Sequence, residues 1–196
     1  MTNSGPIHEL PDGYHEVHHL VLTSRWNYIV LNLLAFVPLV LALAGMVGWF
    51  ALVIKLRGQI IGGLGTDWPL WARFAILLAV LPIHEALHGV AIRWAGHKPR
   101  YGAKLTKLVL YATADNALFR RNEYLVVALA PIVGITLIGM LLVLIAPDSF
   151  GFYVSLAVIF NAGCAIGDLV QSVVLLRYPS SVLVLDEEDG MRIYAN

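Results

Sequence analysis

LPIHEALHGVAIRW, residues 81–94, sets His84, Glu85 and His88 inside a run that has no other charge between Arg73 and Arg93. The run is long enough to cross a hydrocarbon core as a helix. An unpaired carboxylate in lipid costs about 2.5–3.5 kcal/mol even on lenient insertion scales, so these groups need a protein interior and a partner. On a helix, residues four apart lie one above the other, and His84 and His88 can turn their imidazoles toward one point. Glu85 sits about 100° round the helix from His84, close enough to reach a water there without taking a ligand position. This is the H-E-x-x-H arrangement, in which two neutral imidazoles hold zinc and the glutamate passes a proton. In a soluble helix the same pattern serves equally well as two solvated histidines. Inside a span, burial of three polar groups favours the metal.

The composition sets the surroundings. Of 196 residues, 59% are hydrophobic and only 13% charged, and the mean hydropathy is +0.75. Soluble domains carry about 25% charged residues, so the chain reads as an integral, multi-pass membrane protein of all-α class with the bilayer as its first partner. Lysine plus arginine equal aspartate plus glutamate at 13 each, which argues against a nucleic-acid partner. The one cysteine, Cys164, excludes an internal disulfide framework and a cysteine-based zinc site. Residues 1–24 contain no lysine or arginine and do not suit a cleavable signal peptide.

Four uncharged or nearly uncharged runs predict four transmembrane helices, at about 26–54, 69–94, 124–147 and 151–176. They form a membrane core over 26–178, with Pro38 expected to kink the first helix and Pro82 to open or kink the second. Residues 1–25 make an N-terminal segment with a short strand or interfacial stretch at HEVHHLVLT. The glycine-rich KLRGQIIGGLGTD, 55–67, is a short connection. In the 97–121 connection, KLTKLVLYAT reads as strand and ADN as a turn, which predicts a surface β-hairpin whose edge can pair with an extended peptide. A solvated basic loop is the alternative. His97 is expected at the surface. The tail, 179–196, reads as a second hairpin around an acidic turn ending in Asp189 and Gly190.

With four spans, both termini and the 97–121 connection share one side, which carries ten basic residues against Lys55, Arg57 and Arg73 on the other. Both termini are therefore expected in the cytoplasm. At about 1.5 Å per residue, His88 lies roughly 9 Å and His84 roughly 15 Å inside the boundary at Trp94, and Asp168 roughly 12 Å inside the same boundary. Asp168 can thus meet the two histidines as a third metal ligand, or pair with an arginine or with amides. Asn161, Cys164 and Asp168 share a helix face. Asn161 can bond a substrate carbonyl or its oxyanion, or tie two helices together, and Cys164 reads as a packing residue.

HEALH in one span, a strand-like surface segment, and an asparagine followed by an aspartate two spans later resemble the site-2 protease family of intramembrane zinc metalloproteases, over roughly residues 70–178. The similarity is greatest to its prokaryotic zincin peptidase branch. The aspartate run here is NAGCAIGDL, without the prolines and the D-G of better-known members. The resemblance implies one zinc per chain held by His84, His88 and Asp168, with Glu85 as general base. It also implies a peptide or transmembrane segment as substrate, and a prokaryotic cell membrane as location. Two rivals stand beside it. HEALH with His15, His18 and His19 also fits the histidine boxes of membrane di-iron hydroxylases and desaturases. A non-catalytic membrane binding or assembly protein is the other. Nothing in the sequence sets the oligomeric state.

Overall fold

The computed structural model describes residues 5–7, 9–22, 24–60, 68–104, 109–187 and 190–196. The chain is mostly helical, with six helices among the described residues: α1 (Arg25–Leu34), α2 (Phe36–Arg57), α3 (Leu70–Trp94), α4 (Arg121–Ile145), α5 (Asp148–Cys164) and α6 (Ile166–Leu175). Three stretches, Trp26–Arg57, Leu70–Trp94 and Arg121–Ile145, are long and apolar enough to cross a membrane, and α5 with α6 makes a fourth if this bent pair is one span.

Prolines and glycines explain where these helices break. The first stretch is interrupted at Ala35, because Pro38 has no N–H to offer the carbonyl of Leu34. The expected fourth helix is instead two, parted at Ala165. Gly163 and Gly167 flank that point, and each weakens a helix by about 1 kcal/mol relative to alanine. The second of the two helices therefore starts afresh, and Asp168 stands in its first turn. Pro82, by contrast, is accommodated within an unbroken α3.

Strands go beyond the two short surface hairpins expected of an otherwise all-α chain. There are six among the described residues: β1 (His15–Val21), β2 (Arg100–Lys104), β3 (Val109–Thr113), β4 (Leu118–Arg120), β5 (Leu183–Glu187) and β6 (Gly190–Ala195). β2 and β3 form the expected hairpin, Arg100 opposite Thr113. The expected C-terminal hairpin, β5–β6, belongs to a four-stranded antiparallel sheet of order β1-β6-β5-β4. Positions 105–108 and 188–189, and 61–67 of the glycine-rich connection, lie outside the described residues.

The chain divides into two compact units. The first comprises residues up to Leu31, Glu85–Ala130 and Gly167–Asn196. Its sheet sets His18, Ile193, Val184 and Phe119 in register across four strands, and the last three are completely buried. They cover a core that includes Ile92 of α3, Tyr124 and Val127 of α4, and Leu175 of α6. Each large side chain buried there contributes about 1.5–3 kcal/mol. Three helices are thereby pinned beneath one sheet.

The second unit comprises Asn32–His84 and Pro131–Ile166. Here Trp49 Nε1 donates to the Met140 carbonyl at 3.0 Å, and Trp68 stacks on Tyr153 with ring centroids 5.5 Å apart. Arg57 donates to Asp148 at 2.7 Å and to the carbonyls of Val143, Leu144 and Ala146. These carbonyls end α4, where intrahelical donors run out.

Candidate metal centre

α3 carries both histidines of HEALH one turn apart, and both are buried, at 7% and 9% exposure. His88 Nδ1 donates to the Val127 carbonyl at 2.9 Å. That carbonyl is available for a local reason. In an α-helix it would accept from the N–H four residues on, and that residue is Pro131, which has none. The Nδ1 of His88 is thus committed, and its Nε2 faces Asp168 Oδ1 at 3.5 Å.

His84 is held in the same manner. Its Nδ1 lies 2.8 Å from Oδ1 of Asn161, which accepts, while Asn161 Nδ2 donates to the Pro131 carbonyl at 3.4 Å. Asn161 is completely buried. Fixing Nδ1 by a hydrogen bond sets the tautomer and turns a basic Nε2 outward, as metal-binding imidazoles require.

Because α3 is one continuous helix, His84 keeps its place one turn from His88, and His88 is set against Asp168. One ligand atom from each of the three residues lies within 4.8 Å of the others. A tetrahedral site with bonds of about 2.0–2.1 Å spaces its ligand atoms about 3.3 Å apart, so modest side-chain closure onto an ion suffices. Two imidazoles and one carboxylate form a donor set suited to catalytic zinc. Glu85, half-buried, follows His84 in α3.

Among the described residues, this is the one group of three or more histidines, cysteines and carboxylates close enough to share an ion. His15, His18 and His19 lie in β1, where His19 Nε2 pairs with Glu187 at 3.1 Å. Cys164 is exposed at the end of α5. His97 is not the surface residue expected: it is 5% exposed and packs edge-on against Phe119, ring centroids 4.6 Å apart. The cause is the way α3 ends. Gly96 takes a left-handed conformation (φ +88°), its N–H bonds the Arg93 carbonyl and the His97 N–H bonds that of Ile92. This Schellman closure turns the chain back over the core.

The β2–β3 hairpin lies beside the site. The Tyr101 side chain of β2 rests against Gly89, next to His88, where a Cβ would force the Tyr101 ring to move.

Sequence reasoning misses a second set of polar residues. The Tyr124 hydroxyl lies 2.8 Å from both Gln171 Oε1 and Asp186 Oδ1, and Thr113 Oγ1 donates to Asp186 Oδ2 at 2.7 Å. Burial pushes the Asp186 carboxyl up to about 6, and the hydrogen bonds from Thr113 and Tyr124 offset only part of this. These residues are scattered through the chain and follow no motif. The proline four residues after Val127 is the one local signal that sequence offers.

The model of a family described as "Putative zincin peptidase" matches residues 77–183, more than half of the chain and all of the HEALH, Asn161 and Asp168 positions. No curated protein and no solved structure matches the chain.

Proposed function

Because the chain belongs to the zincin peptidase family, we propose that it is a membrane-embedded zinc metallopeptidase of the site-2 protease kind. The observation that carries this is the convergence of His84 and His88, in a helix apolar enough to cross a bilayer, with Asp168 of the bent α5–α6 pair. Exposed Leu41, Trp71 and Leu137, each above 60% exposure, suit a lipid-facing surface. The excess of basic residues supports an orientation with both termini in the cytoplasm of a prokaryotic cell and the site toward that face.

His84, His88 and Asp168 are the residues that would hold zinc, whose Lewis acidity, when bound, acidifies a water and polarises the scissile carbonyl. Glu85 takes one proton from the attacking water as its oxygen bonds to the carbonyl carbon. It then gives that proton to the amide nitrogen as the C–N bond breaks, leaving one carboxylic acid and one amine. We read Asn161 as a positioning residue for His84 rather than as an oxyanion contact, since both ends of its amide are engaged inside the protein. The substrate is a peptide or transmembrane segment. It must unwind locally to expose a carbonyl, and the edge of the β2–β3 hairpin suits the extended stretch that results.

The test is metal content and cleavage on detergent-purified protein. Wild type should carry one zinc per chain, His84→Ala and Asp168→Ala should lose it, and Glu85→Gln should keep zinc but fail to cut a transmembrane-segment reporter. Cleavage retained by Glu85→Gln, or iron at two per chain, would overturn this reading.

A further inference from the structure

Helix α6 begins immediately after the break at Ala165 and is only ten residues long, yet its first turn must present Asp168. A short helix with a free start cannot fix its own rotation. Below Asp168, Leu175 and Ser172 are buried, and Gln171 lies one turn further along, 2.8 Å from the Tyr124 hydroxyl. Tyr124 itself is 2% exposed and stands three residues before Val127 on α4. The same stretch of α4 therefore holds His88, through the Val127 carbonyl, and α6, through the Tyr124 hydroxyl.

The contact does not end there. Asp186 of β5 receives the other 2.8 Å contact of Tyr124 and is held in turn by Thr113, the last residue of β3. Thr113, Asp186, Tyr124 and Gln171 thus form one polar chain from the hairpin to the helix that bears Asp168. Apolar side chains of similar size would fill this place at lower cost, since burying hydroxyls and a carboxylate gains little net stability even when each is paired. What such a chain supplies is a fixed geometry.

We propose that Tyr124 and Asp186 are positioning residues for the metal centre, the chain Thr113–Asp186–Tyr124–Gln171 setting the rotation of α6 and hence where Asp168 presents its carboxylate. The inference rests on the reading of Asp168 as a ligand. Neither residue touches the ion or substrate. They act through α6 and, by way of Thr113, make the site sensitive to the seating of the β2–β3 hairpin.

The experiment uses full-length protein loaded with cobalt(II), whose visible spectrum reports ligand geometry, and chelator competition for affinity. Variants are Tyr124→Phe, Asp186→Asn, their double, and the near-isosteric Thr113→Val at the far end of the chain. Arg192→Ala is the control, because Arg192 pairs with Glu187 and Glu16 away from this chain. Expected results are one metal per chain throughout, affinity about 10-fold weaker in Tyr124→Phe and Asp186→Asn, and a shifted spectrum. The double should be little worse than either single, as for members of one network. Thr113→Val should shift the spectrum the same way by less, and Arg192→Ala should match wild type. If the variants match wild type in spectrum and affinity, or lose thermal stability with no spectral change, the positioning role is overturned while the metal site stands. A folded wild type that takes up no cobalt or zinc would instead sink the metallopeptidase reading, and this proposal with it.

Discussion

Val127 gives its carbonyl to His88 Nδ1, at 2.9 Å, because Pro131 has no N–H to claim it. A proline inside a helix, ordinarily a cost of about 3 kcal/mol, here frees the acceptor that orients an imidazole. Pro131→Ala should reverse both effects. The new amide competes for the carbonyl, helix α4 becomes more stable, and zinc affinity falls about 10-fold. Chelator competition on the variant beside wild type measures this, and equal dissociation constants would refute the assignment.

Asn161→Ala separates two roles for that residue. If it positions His84, zinc binding weakens by about 10- to 100-fold, since the Nδ1 loses its acceptor. If it bonded the oxyanion, zinc binding would be untouched and kcat alone would drop by about 100- to 1000-fold. Metal titration and single-substrate kinetics on the same preparation decide between them, and the geometry favours the first.

Much of this arrangement is legible in the amino-acid order alone. Long uncharged runs mark the three stretches apolar enough to cross a membrane, since few other conformations satisfy the backbone at such apolarity. A constant rise per residue is enough to bring Asp168 to the level of His84 and His88. Three features are not legible, for distinct physical reasons. The pairing of β1 with β6 joins residues some 175 positions apart, and alternation within HEVHHLV says nothing about its partner. The break at Ala165 depends on two flanking glycines whose individual penalties are small. The engagement of Asn161 by His84 depends on the rotation of two helices about their axes, which hydropathy alone does not set. His97 departs from its expected surface position because its location just outside α3 says nothing of direction, and Gly96 folds it back onto Phe119.

Arg57 and Asp148 provide a stability test remote from the chemistry. Asp148 is fully buried, and Arg57 both neutralises it and caps three terminal carbonyls of α4. Arg57→Ala removes a cation from a buried carboxylate, the kind of change that costs about 3–5 kcal/mol. Thermal unfolding in detergent should show a lower midpoint, and the double variant Arg57→Ala/Asp148→Ala should recover part of the loss. A single variant as stable as wild type would mean that water reaches the carboxylate.

Asp186 predicts a pH dependence whose sign is fixed by burial. Its carboxyl is raised to about 6 in the folded protein, against about 3.9 for an unfolded chain. Between those values the folded state holds a proton that the unfolded state has lost, so this group's contribution to stability falls as pH rises from about 4 to about 6 and is constant above. The ionisable groups that act on it are Tyr124 through its hydroxyl and His88 and Asp168 through their charge, which is why the measurement belongs on metal-free protein. Unfolding midpoints taken from pH 4 to 7.5 should decline more steeply for wild type than for Asp186→Asn, which cannot ionise but keeps an oxygen for Tyr124 and an amide for Thr113. Above pH 6.5 the variant should be the more stable of the two. Parallel curves would show that the Asp186 carboxylate is solvated and that the polar chain is open to water.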